Sequence, residues 1–302
     1  MRENAPSATA YLIAASIAYS AREPNMAFLT PSHASALSNW VLADSLPQGS
    51  LLLWALQQRW FRAGVRRLER ATLPGIQAHY LVRKRGIEDA TRRALDEGVR
   101  QVVVLGAGFD SLCWHLHTEY TSCLFFEIDH PKTQQVKRDV LERRVPLRSN
   151  LQFLAMDFTL TDIETELRAC PRFNAGMPTL FIMEGLLMYL SSEEVSRLFR
   201  ALACLGTPQT RALFTFLEPQ PDGRVNFPQA SRLVSWWLRR RGESFRWGIK
   251  REELPGYLAA HGFQIEEVVD DAEFRRRYLK APFQQNLPLA EGEFLCEALR
   301  QE

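Results

Sequence analysis

The stretch VVVLGAGFDSLCW, residues 102–114, decides the fold. Its four leading apolar residues fit a strand buried on both faces, and Gly106-Ala-Gly108 then lets the backbone turn tightly. The same kind of apolar run recurs as CLFFEID at 123–129, LQFLAMD at 151–157, TLFIME at 179–184 and RALFTFL at 211–217. Amphipathic stretches separate these runs, among them PKTQQVKRDVLERR at 131–144 and SSEEVSRLFRALACL at 191–205. In the second, Ser191 as N-cap and Glu194 three residues on would form a capping box. Strand–helix alternation repeated five times predicts an α/β protein with a doubly wound, mostly parallel sheet. The tail adds a helix near 251–261, a strand at 263–269 and a weaker strand-like stretch at 293–299.

Upstream, residues 8–95 read as helices, since Ala, Leu, Arg and Trp dominate and no sustained alternation appears. LLLWALQQRWFRAGVRRLER at 51–70 reads as one helix, docked at its apolar end and solvated at its basic end. The run YLIAASIAY at 11–19 is too short to span a membrane. Arg2 and Glu3 before it leave no net positive side-chain charge, so a buried helix is expected there rather than a signal peptide. The chain is 302 residues long, 46% hydrophobic and 24% charged, which excludes disorder or a coiled coil as its overall description. Lys and Arg number 37 against 35 Asp and Glu, so no global polyanion-binding signature is present. Five cysteines without a C-x-x-C pair argue against a disulfide framework or a zinc knuckle, and a reducing cytosol is the expected setting.

In open α/β sheets, ligands bind beyond the carboxyl ends of the strands, where strand order reverses. Gly106 and Gly108 follow the first strand, Asp129 ends the second, Asp157 the third and Glu184 the fourth. An acidic residue about 20 positions after a glycine loop is where ribose hydroxyls are held in this architecture, which points to Asp129, with Glu127 as the next suspect. A nicotinamide dinucleotide would want a third glycine where Ser111 stands, and Asp110 adds negative charge beside the would-be phosphate. S-adenosylmethionine has no phosphate and carries a sulfonium and an ammonium group, so the acidic crevice suits it.

GAGFDSLCWHL, FEIDHPKTQQVKR, MDF and TLFIMEGLLMYL with SSEEV, in this order and spacing, resemble the leucine carboxyl methyltransferase family. PGIQAHYLVRKRGIED and FRWGIKREELPGYLAAHGFQI resemble two further segments of it, so the likeness runs from about residue 74 to the C-terminus. The resemblance implies a Rossmann-like methyltransferase fold: a core over 96–302, with the helical N-terminal extension, 1–95, as a lid over the site. It also implies that Arg83 pairs with the methionine carboxylate and that Gly106 and Gly108 present backbone to the methionyl moiety. Asp129 would then take the ribose hydroxyls, Asp157 with Phe158 would frame the adenine, and Glu184 would face the ammonium or sulfonium end. On the helix carrying Arg83, successive residues turn by about 100°, so Lys84 and Arg85 are expected to point away. The first helix departs from the family pattern, AASIAYSAREP leaving only Arg22 for the arginine many members carry there.

The expected activity is S-adenosylmethionine-dependent O-methyl transfer to a carboxylate of a small or medium-sized metabolite in the cytoplasm. Such a carboxylate is already ionised and needs no base, and no metal is required. A phenol or alcohol would need a base, for which His33, His115, His117 and Tyr189 are the candidates, with His130 backing the contact residues. Two basic stretches, 59–93 and 232–251, either form solvated faces or border the mouth and attract an anionic acceptor. Trp236, Trp237 and Trp247 are candidate aromatic walls or core residues. No nucleic acid or membrane is expected as a partner. The rival activities are methylation of a protein C-terminus or a tRNA-linked carboxyl, and cofactor binding without turnover.

Overall fold

The computed structural model describes residues 6–157 and 162–301. Five helices come first: α1 (Ala8–Ser20), α2 (Ser32–Ser45), α3 (Gly49–Gln57), α4 (Arg59–Thr72) and α5 (Ile76–Asp96). The alternating part runs β1 (Gln101–Leu105), α6 (Leu112–Glu119), β2 (Leu124–Asp129), α7 (Pro131–Glu142), β3 (Leu151–Ala155), α8 (Ile163–Ala169), β4 (Thr179–Met183), α9 (Ser192–Cys204) and β5 (Arg211–Leu217). The tail holds α10 (Arg232–Arg241), α11 (Leu254–Ala259), β6 (Phe263–Val269), α12 (Asp271–Tyr278), α13 (Pro282–Gln285) and β7 (Glu293–Arg300). The capping box forms as the spacing predicts: Ser191 Oγ accepts from Glu194 N at 3.2 Å, and Glu194 Oε2 accepts from Ser191 N at 2.6 Å.

The sheet order is β3-β2-β1-β4-β5-β7-β6. The strands from β3 to β5 pair in parallel, and β7 runs antiparallel to both of its neighbours. Chain order reverses between β1 and β4, which puts the expected crevice beyond Leu105 and Met183. The antiparallel β7 has a further effect. Its first residue, Glu293, pairs with Leu217 at the end of β5, so it arrives at the same edge as the parallel strands' C-termini.

Residues alternate between two apolar layers, one on each face of the sheet. Val102, Val104 and Phe125 pack on one face with Ala14, Ala18, Leu37 and Val41, so α1 and α2 share a core with the sheet. Val103, Phe126, Phe181 and Phe214 pack on the other with Leu198, Phe199 and Leu258.

The segment 51–70 is two helices, not one. Gln58 has extended backbone (φ −81°, ψ 128°) and breaks the run. Arg62 Nη1 donates to the freed carbonyls of Leu56 and Gln57, each at 2.9 Å, which satisfies the end of α3. The basic half, α4, buries none of its residues fully, while Ala55 and Leu56 anchor α3.

Candidate functional site

The loop after β1 is held to β2 by hydrogen bonds. Gly106 N and Ala107 N donate to Ile128 O, at 2.8 and 3.2 Å. Gly106 has φ +69° and Gly108 φ +50°, a region that favours residues without a Cβ. At Gly106 a Cβ would also stand 3.1 Å from Leu186 Cδ1, so both conformation and space select glycine. Asp129 fixes the far side of the loop. Its Oδ2 accepts from Gly108 N and its Oδ1 from His130 N, both at 2.6 Å. Burial nonetheless pushes the Asp129 carboxyl up from its ordinary value, against the pull of those two N–H groups.

A second layer of charge comes from α5. Arg83 Nη1 donates to both oxygens of Glu293, at 2.9 and 2.7 Å, and Nη2 lies 2.8 Å from Glu184 Oε1. Its guanidinium also lies over the Tyr80 ring, 5.1 Å from the centroid. Burial alone would lower the Arg83 pKa, but Glu293 and Glu184 outweigh it and hold the group charged. Burial likewise opposes ionisation of Glu293, and Arg83 and His79 overcome it, bringing that carboxyl down to about 2. The His79 imidazole, fully buried, lies 2.8 Å from Glu293 Oε2 through its Nε2.

Lys84 joins the same cluster. Its Nζ donates to Asp110 Oδ1 at 2.9 Å and to Glu184 Oε2 at 3.0 Å. This corrects the helical-wheel expectation that Lys84 points away: its four-carbon stem reaches the glycine loop from the flank of α5. Arg85 does face solvent. The Asp110 carboxyl sits below its ordinary value because Lys84 overcomes the effect of burial.

Of these groups, Tyr80, Arg83, Lys84, Asp110, Asp129 and Glu184 line one cavity of about 340 Å³, with Glu293 and His79 behind Arg83. Arg83, Gly106, Gly108, Asp129, Asp157 and Glu184 all border it, so the structure brings together every expected site residue except Phe158, which lies outside the described residues. Glu127 does not border it. Its Oε2 lies 2.5 Å from Lys137 Nζ in the core, and burial raises its pKa to about 7 despite that partner.

The cavity also has an apolar and aromatic lining, from Tyr80, Met188, Tyr189, Phe227 and Phe245, and Glu243 and Arg246 border it as well. The aromatic walls are therefore tyrosine and phenylalanine. Trp247 is a core residue, Trp236 is exposed, and neither these nor Trp237 borders the cavity. Residues of α1, including Ala10, Ile13 and Ala14, close one side. Ser7 Oγ and Thr9 N donate to Glu243 at 3.3 and 3.2 Å, which ties the start of α1 to the segment after α10. Among the base candidates only Tyr189 lines the cavity. His33 and His115 stack on each other with centroids 3.9 Å apart, and His117 Nδ1 is engaged by Trp114 O at 2.6 Å. His130 borders the cavity as the N-cap of α7.

The family model for leucine carboxyl methyltransferase matches residues 10–203, more than half of this chain. The chain belongs to the leucine carboxyl methyltransferase family. A protein of Mycobacterium marinum, provisionally named an S-adenosyl-L-methionine-dependent methyltransferase, is 33% identical over 191 residues. One of the same provisional name from Mycobacterium ulcerans is 32% identical over 191 residues. Each match spans 61% of this chain and 61% of the relative, so the chain covers about three fifths of the length of these curated relatives. A crystal structure from Thermobifida fusca, provisionally named a methyltransferase, aligns with TM-score 0.59 at 14% identity. It covers 88% of this chain and 94% of its own, a likeness in fold. The family match ends before Glu243, Arg246 and Glu293, so these cavity and second-layer residues lie beyond it.

Proposed function

We propose that this chain binds S-adenosylmethionine and transfers its methyl group to a carboxylate of a small or medium-sized metabolite. The cofactor would supply an electrophilic methyl on a sulfonium. The observation that carries the reading is the clustering of two cations and two carboxylates beside the glycine loop. A zwitterionic amino-acid end needs both signs within reach, and Arg83, Lys84, Glu184 and Asp110 offer both. Arg83 is held by Glu293 on one edge, which leaves the edge now on Glu184 for a carboxylate and Glu184 for an ammonium group. Asp129 keeps free lone pairs for ribose hydroxyls while holding the loop, and Asp157 with Phe158 is assigned to the adenine. The N-terminal helices would act as a lid, with α1 excluding water from the reacting end.

The carboxylate acceptor is supported by the aromatic lining of the cavity. Burial pushes Tyr80 up to about 12, against the pull of Arg83, and pushes Tyr189 up further. Both phenols therefore stay protonated at neutral pH, suited to donating a hydrogen bond to an anionic acceptor and not to removing a proton. Arg246 at the border adds a cation for the same anion. The test is incubation with methyl-labelled S-adenosylmethionine and a metabolite extract, followed by mild alkali. Label released as volatile methanol marks a methyl ester, as expected. Alkali-stable label marks an ether and overturns the carboxylate acceptor.

A further inference from the structure

Among the described residues, nine large apolar side chains stand exposed, and six of them lie on three adjoining helices. These are Leu51 and Trp54 on α3, Trp60 and Leu68 on α4, and Leu233 and Trp236 on α10. Trp60 is 69% exposed and Leu233 64%, values that mark side chains projecting into solvent. Helix α4 packs against both α3 and α10, and Ser231 N donates to Thr72 O at 2.7 Å where α10 meets the end of α4.

The exposed positions have helical order. On α4, Trp60, Gly64, Arg67, Leu68 and Ala71 are spaced as one stripe, with the exposed Arg59 and Arg70 flanking it. On α10, Leu233, Trp236 and Arg240 repeat the pattern. The charge on this face has one sign. Arg59, Arg67 and Arg70 on α4 are exposed, as are Arg232 and the three arginines at 239–241 on α10. The one acidic residue of the three helices, Glu69, is turned inward, accepting from Gln77 N at 3.3 Å. Arg240 lies 5.5 Å over the Trp236 ring, so cation and aromatic surface are presented together.

From this composition we infer that the α3–α4–α10 face docks on an anionic lipid surface. Exposed tryptophan and leucine beside arginine, with no exposed acid, is the chemistry of a segment lying at the headgroup boundary. A protein partner could use the same tryptophans and arginines as anchors, but it would need a fitted acidic surface to match the seven exposed arginines, which an anionic headgroup layer supplies without one. No described helix is long and apolar enough to cross a membrane, so the contact is one-sided. The placement has a consequence for the cavity. Phe227, ahead of α10, and the stretch 242–246, directly after it, both line the cavity, so the docking helix α10 is joined at each end to the cavity wall.

The test is flotation of the full chain with phosphatidylcholine vesicles, with and without phosphatidylglycerol. Flotation is expected only with the anionic vesicles, and it should weaken as salt rises. Trp60→Ser with Trp236→Ser should abolish it. Arg239→Gln and Arg240→Gln should each lower partitioning about fivefold, the equivalent of about 1 kcal/mol per basic residue near such a surface. All four positions are exposed, so unchanged melting temperatures establish that the variants fold. Absence of flotation with anionic vesicles overturns the inference, as does flotation indifferent to these substitutions. Binding to polyglutamate or DNA with no vesicle binding assigns the face to an acidic polymer and likewise overturns it.

Discussion

Glu293 grips Arg83 with both carboxylate oxygens, although 210 residues separate the two in sequence. The antiparallel direction of β7 makes this contact possible, by delivering its first residue to the edge where the parallel strands end. Glu293→Gln removes the charge and half of the acceptor capacity, leaving the Arg83 fork without its anchor. Affinity for S-adenosylhomocysteine should fall by about 2 kcal/mol, typical of hydrogen bonds to charged groups. Calorimetric titration measures it, and an unchanged dissociation constant shows that Arg83 needs no such support.

The same contact makes stability depend on pH. The folded Glu293 carboxyl titrates near 2, below the ordinary 4.5, so its stabilisation is present above about pH 4.5 and is lost as pH falls toward 2. Urea unfolding of the native protein and Glu293→Gln should show a gap at neutral pH that narrows through this window. A gap constant down to pH 2 contradicts the assignment.

Lys84 and Arg83 should both matter, and Arg85 should not. Arg83→Lys loses the planar fork, and Lys84→Ala leaves Asp110 and Glu184 short of a cation. Each should weaken S-adenosylhomocysteine binding by about 1–2 kcal/mol. Arg85→Ala should stay within about 0.5 kcal/mol, as exposed substitutions do. Side-by-side titrations of the three variants check the order.

Much of this arrangement was legible in the sequence, for local reasons. The run at 102–114 and its four recurrences carry their burial in continuous apolar residues, and the glycine loop and strand-end carboxylates are adjacent to them in sequence. The break at Gln58 was not legible, because neither proline nor glycine marks it and the compensating donor is the Arg62 side chain. Glu293 was missed because its strand is weak locally and its role depends on pairing with β5. Lys84 was misplaced because a helical wheel describes where Cα atoms lie and not how far a lysine reaches.

The buried Lys137–Glu127 pair should behave as a unit. Lys137→Met leaves a carboxylate in the core and should cost about 3–5 kcal/mol, whereas Lys137→Met with Glu127→Leu should recover most of it. Since burial already brings the Glu127 carboxyl to about 7 and losing Lys137 raises it further, the single variant should lose less stability at pH 5 than at pH 8, where the unfolded chain's carboxyl is fully ionised and the buried one is not. Urea denaturation at both pH values separates these outcomes.

Asp129 holds Gly108 and His130 through one oxygen each, and the account also gives it the ribose. Asp129→Ala should weaken S-adenosylhomocysteine binding by about 2 kcal/mol, and Asp129→Asn by less because one carbonyl acceptor remains. Equal affinities in all three proteins would remove the ribose from Asp129.

The most direct test of the central claim is calorimetric titration of the purified chain with S-adenosylhomocysteine and, separately, with NAD. Asp110 adds negative charge and Ser111 stands where a dinucleotide loop would want its third glycine, while the Arg83–Lys84–Glu184 cluster suits an amino-acid end. The account predicts saturable binding of S-adenosylhomocysteine and no heat from NAD. Saturable NAD binding with a silent S-adenosylhomocysteine titration would contradict it.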